Sequence, residues 1–313
     1  KDAKEKAPLL NTDDLVAAYL IPSDGMTNPT DTTQALARGA RNGGTKIFEG
    51  VKVSEILTHE GRAIGAKTDK GRIEAEVVVV CAGMWTRELC APLGVDVPLH
   101  AAEHYYIVTR PIEGVLRNQP VLRDMDGYIY IKEEVGGLVL GGFEPQAKPW
   151  GMEGIPDGFE FQALPEDWDQ FEVFMNTGLE RIPAIAEAEI RQLFVGPESF
   201  TPDNRYILGE APDLRRLYVA AGFNSIGIQS AGGAGKALAE WIVEGAPTMD
   251  LAELDIRRFH RFERNRAYLF DRTKESLGLL YAMHWPFRQP ETGRSARRTP
   301  FHDRLEARGA CFG

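Results

Sequence analysis

The chain has 313 residues, of which 43% are hydrophobic and 26% are charged, and its formal net charge is -10. These values predict a globular protein of one large or two medium domains. The acidic balance argues against nucleic acid as a partner, and the longest apolar run, residues 77–85, is too short to cross a membrane. Three scattered cysteines favour a reducing compartment, either the cytoplasm or the mitochondrial matrix.

The first hundred residues are predicted to alternate helices and strands. Four consecutive valines are typical of a buried strand that is covered on both faces. The predicted elements are, in chain order, a polar helical stretch over 1–20, a helix over 32–42 capped by Thr30 or Asp31, a short strand over 46–49, a hairpin over 51–58 and 63–68, and a strand over 76–81.

From residue 99 the character changes, because short strands follow one another with turns between them. This succession predicts an antiparallel sheet that is inserted into an α/β framework. The predicted elements are strands over 104–109, 121–123, 128–133 and 137–143, a helix over 167–182, and a strand over 190–195.

A glycine-rich segment from Gly222 to Gly235 follows the predicted strand 217–221 and precedes a predicted helix over 236–244. A strand, a glycine turn and a helix together direct backbone N–H groups at an electron-rich ligand. A phosphate-binding loop is excluded because Ala237 replaces the required Ser or Thr, and a nucleophile elbow is excluded because residue 223 is not glycine. A plain glycine-rich turn for close packing remains the alternative.

The segment 196–241 resembles the flavin-closing segment of the glycine-oxidase/sarcosine-oxidase superfamily, and is most similar to the branch of sarcosine and dimethylglycine dehydrogenases. The resemblance extends over essentially the whole chain. It implies an α/β (α+β) fold: a partial FAD-binding Rossmann-like domain with an inserted antiparallel-sheet substrate domain. The implied domains are 1–98 as part of the FAD-binding domain, 99–195 as the substrate domain, 196–262 as the returning FAD-binding segment, and 263–313 as a connector toward a folate-binding module.

The resemblance also implies which residues contact FAD. A strand that ends in small residues lies near the ribose and pyrophosphate in this family, and a main-chain segment lies against the adenine. Ordinary strands with no ligand are the alternative for both segments. The implied FAD-binding residues are Val53, Ala82, Gly83, Trp85, Gly222, Phe223, Asn224, Ser225 and Gly227.

In the dimethylglycine-oxidising relatives a His and a Tyr face the flavin and the substrate amine, and the matching residues are His104 and Tyr130. A neutral imidazole can accept a proton from a substrate ammonium group. Period-two alternation places Tyr128 on the same face as Tyr130. Arg123 and Lys132 flank this sheet and are candidates for binding a carboxylate. The alternatives are a core histidine, two sheet tyrosines and two solvated cations.

Two departures from the family pattern bear on function. Monomeric sarcosine oxidases have a carboxylate-binding Lys where this chain has Gln229, which implies another cation or another substrate. The sequence contains no GxGxxG motif, which binds the ADP part of FAD in the family. We therefore expect that the protein continues upstream and that the isolated chain does not retain FAD. Tetrahydrofolate is expected only with the C-terminal module.

The leading hypothesis is FAD-dependent oxidative demethylation of sarcosine or dimethylglycine. The one-carbon unit passes to tetrahydrofolate or leaves as formaldehyde, and electrons pass to an electron-transfer flavoprotein or to oxygen. One alternative is a non-catalytic regulator, because 103–106 and 166–169 resemble a regulatory subunit of pyruvate dehydrogenase phosphatase. Another is an oxidoreductase for a different secondary amine. No metal site is expected, since no HxH or HExxH spacing occurs.

Overall fold

The structure is a computed structural model that describes residues 2–283 and 288–312. It contains two compact units, each assembled from separate parts of the chain. The first unit comprises Lys1–Lys52, Glu103–Glu144 and Glu160–Pro197, and the second comprises Val53–Ala102, Pro145–Phe159 and Glu198–Gly313. The functional labels of the four sequence-based domains stay predictions, and residues 284–287 of the predicted connector lie outside the described residues.

The α-helices are, in chain order, α1 (Asp2–Lys6), α2 (Pro29–Asn42), α3 (Thr86–Cys90), α4 (Trp168–Arg181), α5 (Gly227–Glu244), α6 (Arg266–Gly278) and α7 (His302–Glu306). The strands are β1 (Val53–His59), β2 (Arg62–Thr68), β3 (Gly71–Glu74), β4 (Val78–Val80), β5 (His100–Thr109), β6 (Leu122–Asp124), β7 (Ile129–Glu134), β8 (Gly137–Gly142), β9 (Pro149–Trp150), β10 (Ile190–Phe200), β11 (Ile207–Glu210) and β12 (Leu217–Ala221).

The first unit contains a sheet with the strand order β10-β5-β8-β7-β6, in which β5, β8, β7 and β6 are antiparallel neighbours. The antiparallel sheet that was predicted from the sequence is therefore confirmed. One face of the sheet packs on α4, whose N-cap Asp167 accepts a hydrogen bond from the Gln170 amide at 3.0 Å. The core between them includes Tyr105, Ile107, Ile129, Ile131, Leu138, Leu140, Phe171 and Phe174.

The second unit contains two three-stranded sheets, β1-β2-β3 and β11-β12-β4. The predicted hairpin is confirmed: β1 and β2 are antiparallel, and Glu60 and Gly61 form the turn with φ values of 48° and 71°. In the other sheet β12 pairs in parallel with β4, so that Val219 lies opposite Val80. Parallel strands end at the same edge, which brings together the two segments that follow them.

Three local predictions were wrong. Of residues 1–20 only α1 is helical, and within the described residues no strand includes 46–49. The glycine-rich turn does not extend to Gly235, because α5 already begins at Gly227. Each glycine inside a helix destabilises it by about 1 kcal/mol. The buried side chains of Ala234, Leu238 and Trp241 nevertheless stabilise α5.

The helix predicted over 32–42 begins earlier, at Pro29. The predicted cap, Thr30 or Asp31, was wrong: Asn28 is the N-cap, because its side chain accepts a hydrogen bond from the Asp31 amide at 3.1 Å. The predicted end at Gly43 is confirmed. Among the described residues, no helix combines the length and the apolar character that a membrane crossing requires.

Candidate functional site

The first unit brings the predicted catalytic pair together. His104 Nε2 lies 3.1 Å from the Tyr130 hydroxyl, a hydrogen bond in which either group can donate. The rings are stacked with centroids 6.1 Å apart, and Phe143 packs 5.0 Å from the imidazole. His104 is 7% exposed, and within the described part of the chain its buried Nδ1 has no hydrogen-bond partner. A buried imidazole with a free nitrogen can accept or donate a proton.

Strand register explains how residues that are far apart in sequence form this pair. Tyr130 lies opposite Gly141, and Gly141 lies opposite Tyr106 on β5. His104 is two residues from Tyr106, so alternation places it on the same face. A Cβ at Gly141 would lie 2.6 Å from Tyr130 Cζ, so the tyrosine ring lies across this glycine toward β5. The sequence reasoning missed Gly141, although two glycines inside a strand indicate a close approach.

The opposite face of the same strands carries buried acidic residues. The Tyr105 hydroxyl donates to Glu103 Oε2, and both burial and this hydrogen bond raise the pKa of Tyr105. Glu144 is 2% exposed, and burial raises its pKa to about 7 although Gln170 Nε2 donates to it at 3.3 Å. The nearby Glu103 carboxylate adds to this rise. Burial next to Gln170 of α4 therefore favours the protonated form of Glu144.

The three remaining candidates of the first unit have different surroundings. Arg123 lies opposite Tyr130 across β6 and β7, so both side chains project from one face. Lys132 instead forms an ion pair with Glu134 at 2.9 Å. Tyr128 lies outside β7 with a φ of 62°, so the predicted alternation does not apply to it. Its carbonyl accepts a hydrogen bond from the Phe143 amide at 2.8 Å, and its substrate role stays a prediction.

The second unit brings two of the predicted cofactor segments together. Ala82 and Gly83 follow β4, and Gly222 follows β12, its parallel neighbour. Gly83 has a φ of 55° with open space around its missing side chain. Beyond Gly222 the chain enters α5 at Gly227, whose N-terminal amides carry a partial positive charge.

Asn224 holds the conformation of the turn that follows β12. It is 1% exposed and has a φ of 49°, in the left-handed region. Its Oδ1 accepts a hydrogen bond from the Thr201 amide at 2.9 Å, and its Nδ2 donates to the Gly222 carbonyl at 2.6 Å. A Cβ at Gly222 would lie 2.6 Å from Thr201 Cγ2. The Asn224 side chain therefore shapes the turn, with Thr201 as a partner to which the sequence reasoning gave no role.

The other predicted residues of the second unit line its surface or its turn. Phe223 stacks on Tyr206 with ring centroids 4.6 Å apart, and Ser225 is exposed with a φ of 65°. Gln229 is exposed in the first turn of α5. Trp85 and Val53 are each 41% exposed, Trp85 in the short 3-10 helix after Gly83 and Val53 at the start of β1.

A large cofactor with a pyrophosphate group is compatible with this arrangement. Two backbone turns lie at the carboxyl edge of parallel strands, and α5 begins after one of them. Both turns contain a glycine in the left-handed conformation, Gly83 and Gly222. Main-chain N–H groups at such an edge can bind an anion without a charged side chain.

A cluster with the composition of a metal site occurs elsewhere. In the part of the chain that the structure describes, only His302, Asp303 and Glu306 bring three ligand atoms within 4.8 Å of one another. They lie on the five-residue helix α7, and the two carboxylates are exposed. We assign no function to this cluster, because exposed acidic groups of this kind are common without a metal.

The known proteins that are similar to this chain include two oxidising enzymes and a regulatory subunit. The chain is 44% identical to 4-methylaminobutanoate oxidase (formaldehyde-forming) of Paenarthrobacter nicotinovorans, over 99% of this chain and 38% of the relative. It is 42% identical to the mitochondrial pyruvate dehydrogenase phosphatase regulatory subunit of Mus musculus, over 99% of this chain and 36% of the relative. It is 37% identical to the mitochondrial sarcosine dehydrogenase of Mus musculus, over 99% of this chain and 34% of the relative. The chain thus spans little more than a third of these relatives.

The solved structure of L-proline dehydrogenase from P. horikoshii is similar to this fold, with a TM-score of 0.72 and 27% identity over 83% of this chain and 67% of that chain. Residues 1–241 match the family described as FAD dependent oxidoreductase, and residues 244–299 match its central domain. The predicted fold class and family are confirmed. The chain belongs to the FAD-dependent oxidoreductase family, in the branch that includes sarcosine and dimethylglycine dehydrogenases.

Proposed function

We propose that this protein oxidises an N-methylated amino acid, with FAD as the cofactor. The observation that carries the proposal is the hydrogen-bonded pair of His104 and Tyr130, 3.1 Å apart on one face of the sheet. Similarity to relatives that are named for the oxidation of 4-methylaminobutanoate and sarcosine supports the same chemistry. The candidate substrates are sarcosine, dimethylglycine and 4-methylaminobutanoate.

His104 and Tyr130 would prepare the substrate for oxidation. An aliphatic amine is protonated at neutral pH and must lose that proton before a hydride can leave its methyl carbon. His104 would accept this proton, because one imidazole nitrogen has no hydrogen-bond partner among the described residues and the other lies 3.1 Å from the Tyr130 hydroxyl. Tyr130 orients the amine and can relay the proton. Bound FAD supplies the acceptor for the hydride, and the substrate is left as an iminium ion.

The cofactor would be held by the two turns of the second unit. Ala82 and Gly83 at one turn, and Gly222 to Gly227 at the other, offer backbone amides and the N-terminus of α5. Phe223, Ser225, Trp85 and Val53 complete the proposed contacts. Asn224 contributes by fixing the turn rather than by its own exposed surface.

The iminium product can follow either of two routes. Water hydrolyses the iminium to formaldehyde and the demethylated amine, or the one-carbon unit passes to tetrahydrofolate on a C-terminal module. The electron acceptor is an electron-transfer flavoprotein or oxygen. We infer that the protein acts in the cytoplasm or the mitochondrial matrix.

An anaerobic titration of the natural full-length protein, with FAD bound, tests the proposal. Sarcosine, dimethylglycine and 4-methylaminobutanoate are added separately while the absorbance of the oxidised flavin is recorded. We expect one of them to bleach this band, and we expect His104→Gln to slow the bleaching. Bound flavin that none of the three amines reduces would contradict the proposal.

A second candidate function is regulation without turnover. The 42% identity to a phosphatase regulatory subunit favours it, because the match to that relative includes 99% of this chain, the same share as the matches to the two enzymes. The retained pair of His104 and Tyr130 favours the enzyme. Flavin that stays oxidised with every amine, together with altered phosphatase activity on addition of this protein, would establish the regulatory function instead.

A further inference from the structure

Arg123, Tyr130 and Gly141 lie side by side on neighbouring strands of the sheet in the first unit. Arg123 on β6 lies opposite Tyr130 on β7, which lies opposite Gly141 on β8. Residues that are directly opposite in antiparallel strands project from the same face. Arg123 therefore shares the face of Tyr130 and His104, away from the core that packs on α4.

The Arg123 side chain places a positive charge on this face. It is exposed, and its guanidinium group forms no hydrogen bond or ion pair with the described residues. Lys132 projects from the same face but is neutralised by Glu134 at 2.9 Å. An arginine without a carboxylate partner can bind one from a ligand through two parallel hydrogen bonds.

The position of Arg123 relative to the catalytic pair restricts the ligand. The Tyr130 ring lies across Gly141 toward β5, where its hydroxyl meets His104. β6 is two strands from β8, a separation of about 10 Å. The Tyr130 ring lies over Gly141 of β8, so the Arg123 guanidinium cannot lie over β8 at that position. A carboxylate on Arg123 and an amine at His104 must be several bonds apart.

We propose that Arg123 binds the substrate carboxylate and selects N-methylamino acids in which several carbons separate the amine from the carboxylate. Sarcosine and dimethylglycine have one carbon there, and 4-methylaminobutanoate has three. This inference rests on the proposed function and specifies its substrate class.

The test compares substrates with and without the carboxylate on the flavin-loaded protein. The substrates are 4-methylaminobutanoate, sarcosine and N-methylbutylamine, and the variants are Arg123→Met and Arg123→Lys. We expect the native protein to be reduced more efficiently by 4-methylaminobutanoate than by sarcosine. Arg123→Met should raise the Kd for 4-methylaminobutanoate at least tenfold and leave that for N-methylbutylamine unchanged, and Arg123→Lys should restore part of the affinity.

Two controls separate binding from folding and from turnover. Arg191→Met removes an equally exposed arginine of β10, on the opposite edge of the sheet, and should leave every Kd unchanged. Calorimetry with 4-(trimethylammonio)butanoate, which has no nitrogen lone pair, measures carboxylate binding without oxidation. Its affinity should fall in Arg123→Met by the same factor.

The outcomes distinguish this inference from the proposed function. Equal effects of Arg123→Met on substrates with and without a carboxylate, or no effect on either, would refute the role of Arg123 alone. Preferential reduction by sarcosine would refute the selection for length. A native protein whose flavin is reduced by none of the amines would refute both proposals.

Discussion

Tyr130 and Gly141 lie opposite each other on neighbouring strands, and the tyrosine ring occupies the space that a side chain at position 141 would need. This relationship directs the Tyr130 hydroxyl to His104 on the next strand, 3.1 Å away. The catalytic pair therefore depends on a residue that contributes no functional group. The first prediction follows from it.

Replacing Gly141 by alanine should displace Tyr130. The added Cβ would lie 2.6 Å from Tyr130 Cζ and 2.8 Å from the Tyr105 carbonyl oxygen, and the backbone atom cannot move aside. Because small misplacements of catalytic groups are costly, we expect flavin reduction to slow by about a hundredfold. Stopped-flow absorbance measures this rate. Gly39→Ala is the control, since its Cβ meets no atom within 4 Å; equal rates in both variants would contradict the prediction.

Tyr130→Phe should weaken catalysis and leave the fold intact. The change removes the hydroxyl that bonds to His104, whereas the half-buried ring remains. We expect flavin reduction to slow by roughly ten- to hundredfold, with no change in melting temperature. Tyr19→Phe provides the comparison, because Tyr19 is 91% exposed and has no proposed role. A Tyr130→Phe protein with the native rate would exclude a role for this hydroxyl.

Asn224→Ala should destabilise the second unit. The variant loses the hydrogen bonds to the Thr201 amide and the Gly222 carbonyl, and it leaves both groups buried without a partner. Alanine also tolerates a φ of 49° less well than asparagine. Together these effects should lower the free energy of unfolding by about 2–4 kcal/mol, measured by urea denaturation. The exposed Asn118→Ala should change it little; similar values for the two variants would refute the role of Asn224.

Glu144 should make stability depend on pH. Burial raises its pKa from the usual 4.5 to about 7 in the folded protein, so the folded state holds the proton more tightly. Stability is then lost as the pH rises from about 4.5 to 7, by about 3 kcal/mol, and the loss levels off above that range.

The measurement for Glu144 is urea denaturation at pH 5 and pH 8. Glu144→Gln has no proton to lose, so its free energy of unfolding should decrease less between these values than that of the native protein. Glu172→Gln, an exposed site on α4, should retain the native pH dependence. A native-like decrease in Glu144→Gln would assign the effect to other groups.

The sequence by itself determined the local elements and the family. Alternating residues between turns predicted β5, β7 and β8, because strand period and turn chemistry act over few residues. The motif after β12 identified a flavin-binding family. Where a local rule failed, tertiary contacts outweighed it: α5 runs through Gly232 and Gly235 because its other face is buried against β12.

Only the tertiary structure decided which distant residues meet. The parallel pairing of β4 with β12, the hydrogen bonds between Thr201 and Asn224, and the row from Arg123 through Tyr130 to Gly141 depend on strand register. Register is set by the burial of whole faces and by turn geometry, and no single segment encodes it. Residue types in sequence thus indicated the chemistry. Packing placed His104 beside Tyr130 and left the Arg123 guanidinium without a carboxylate partner in the part of the chain that the structure describes.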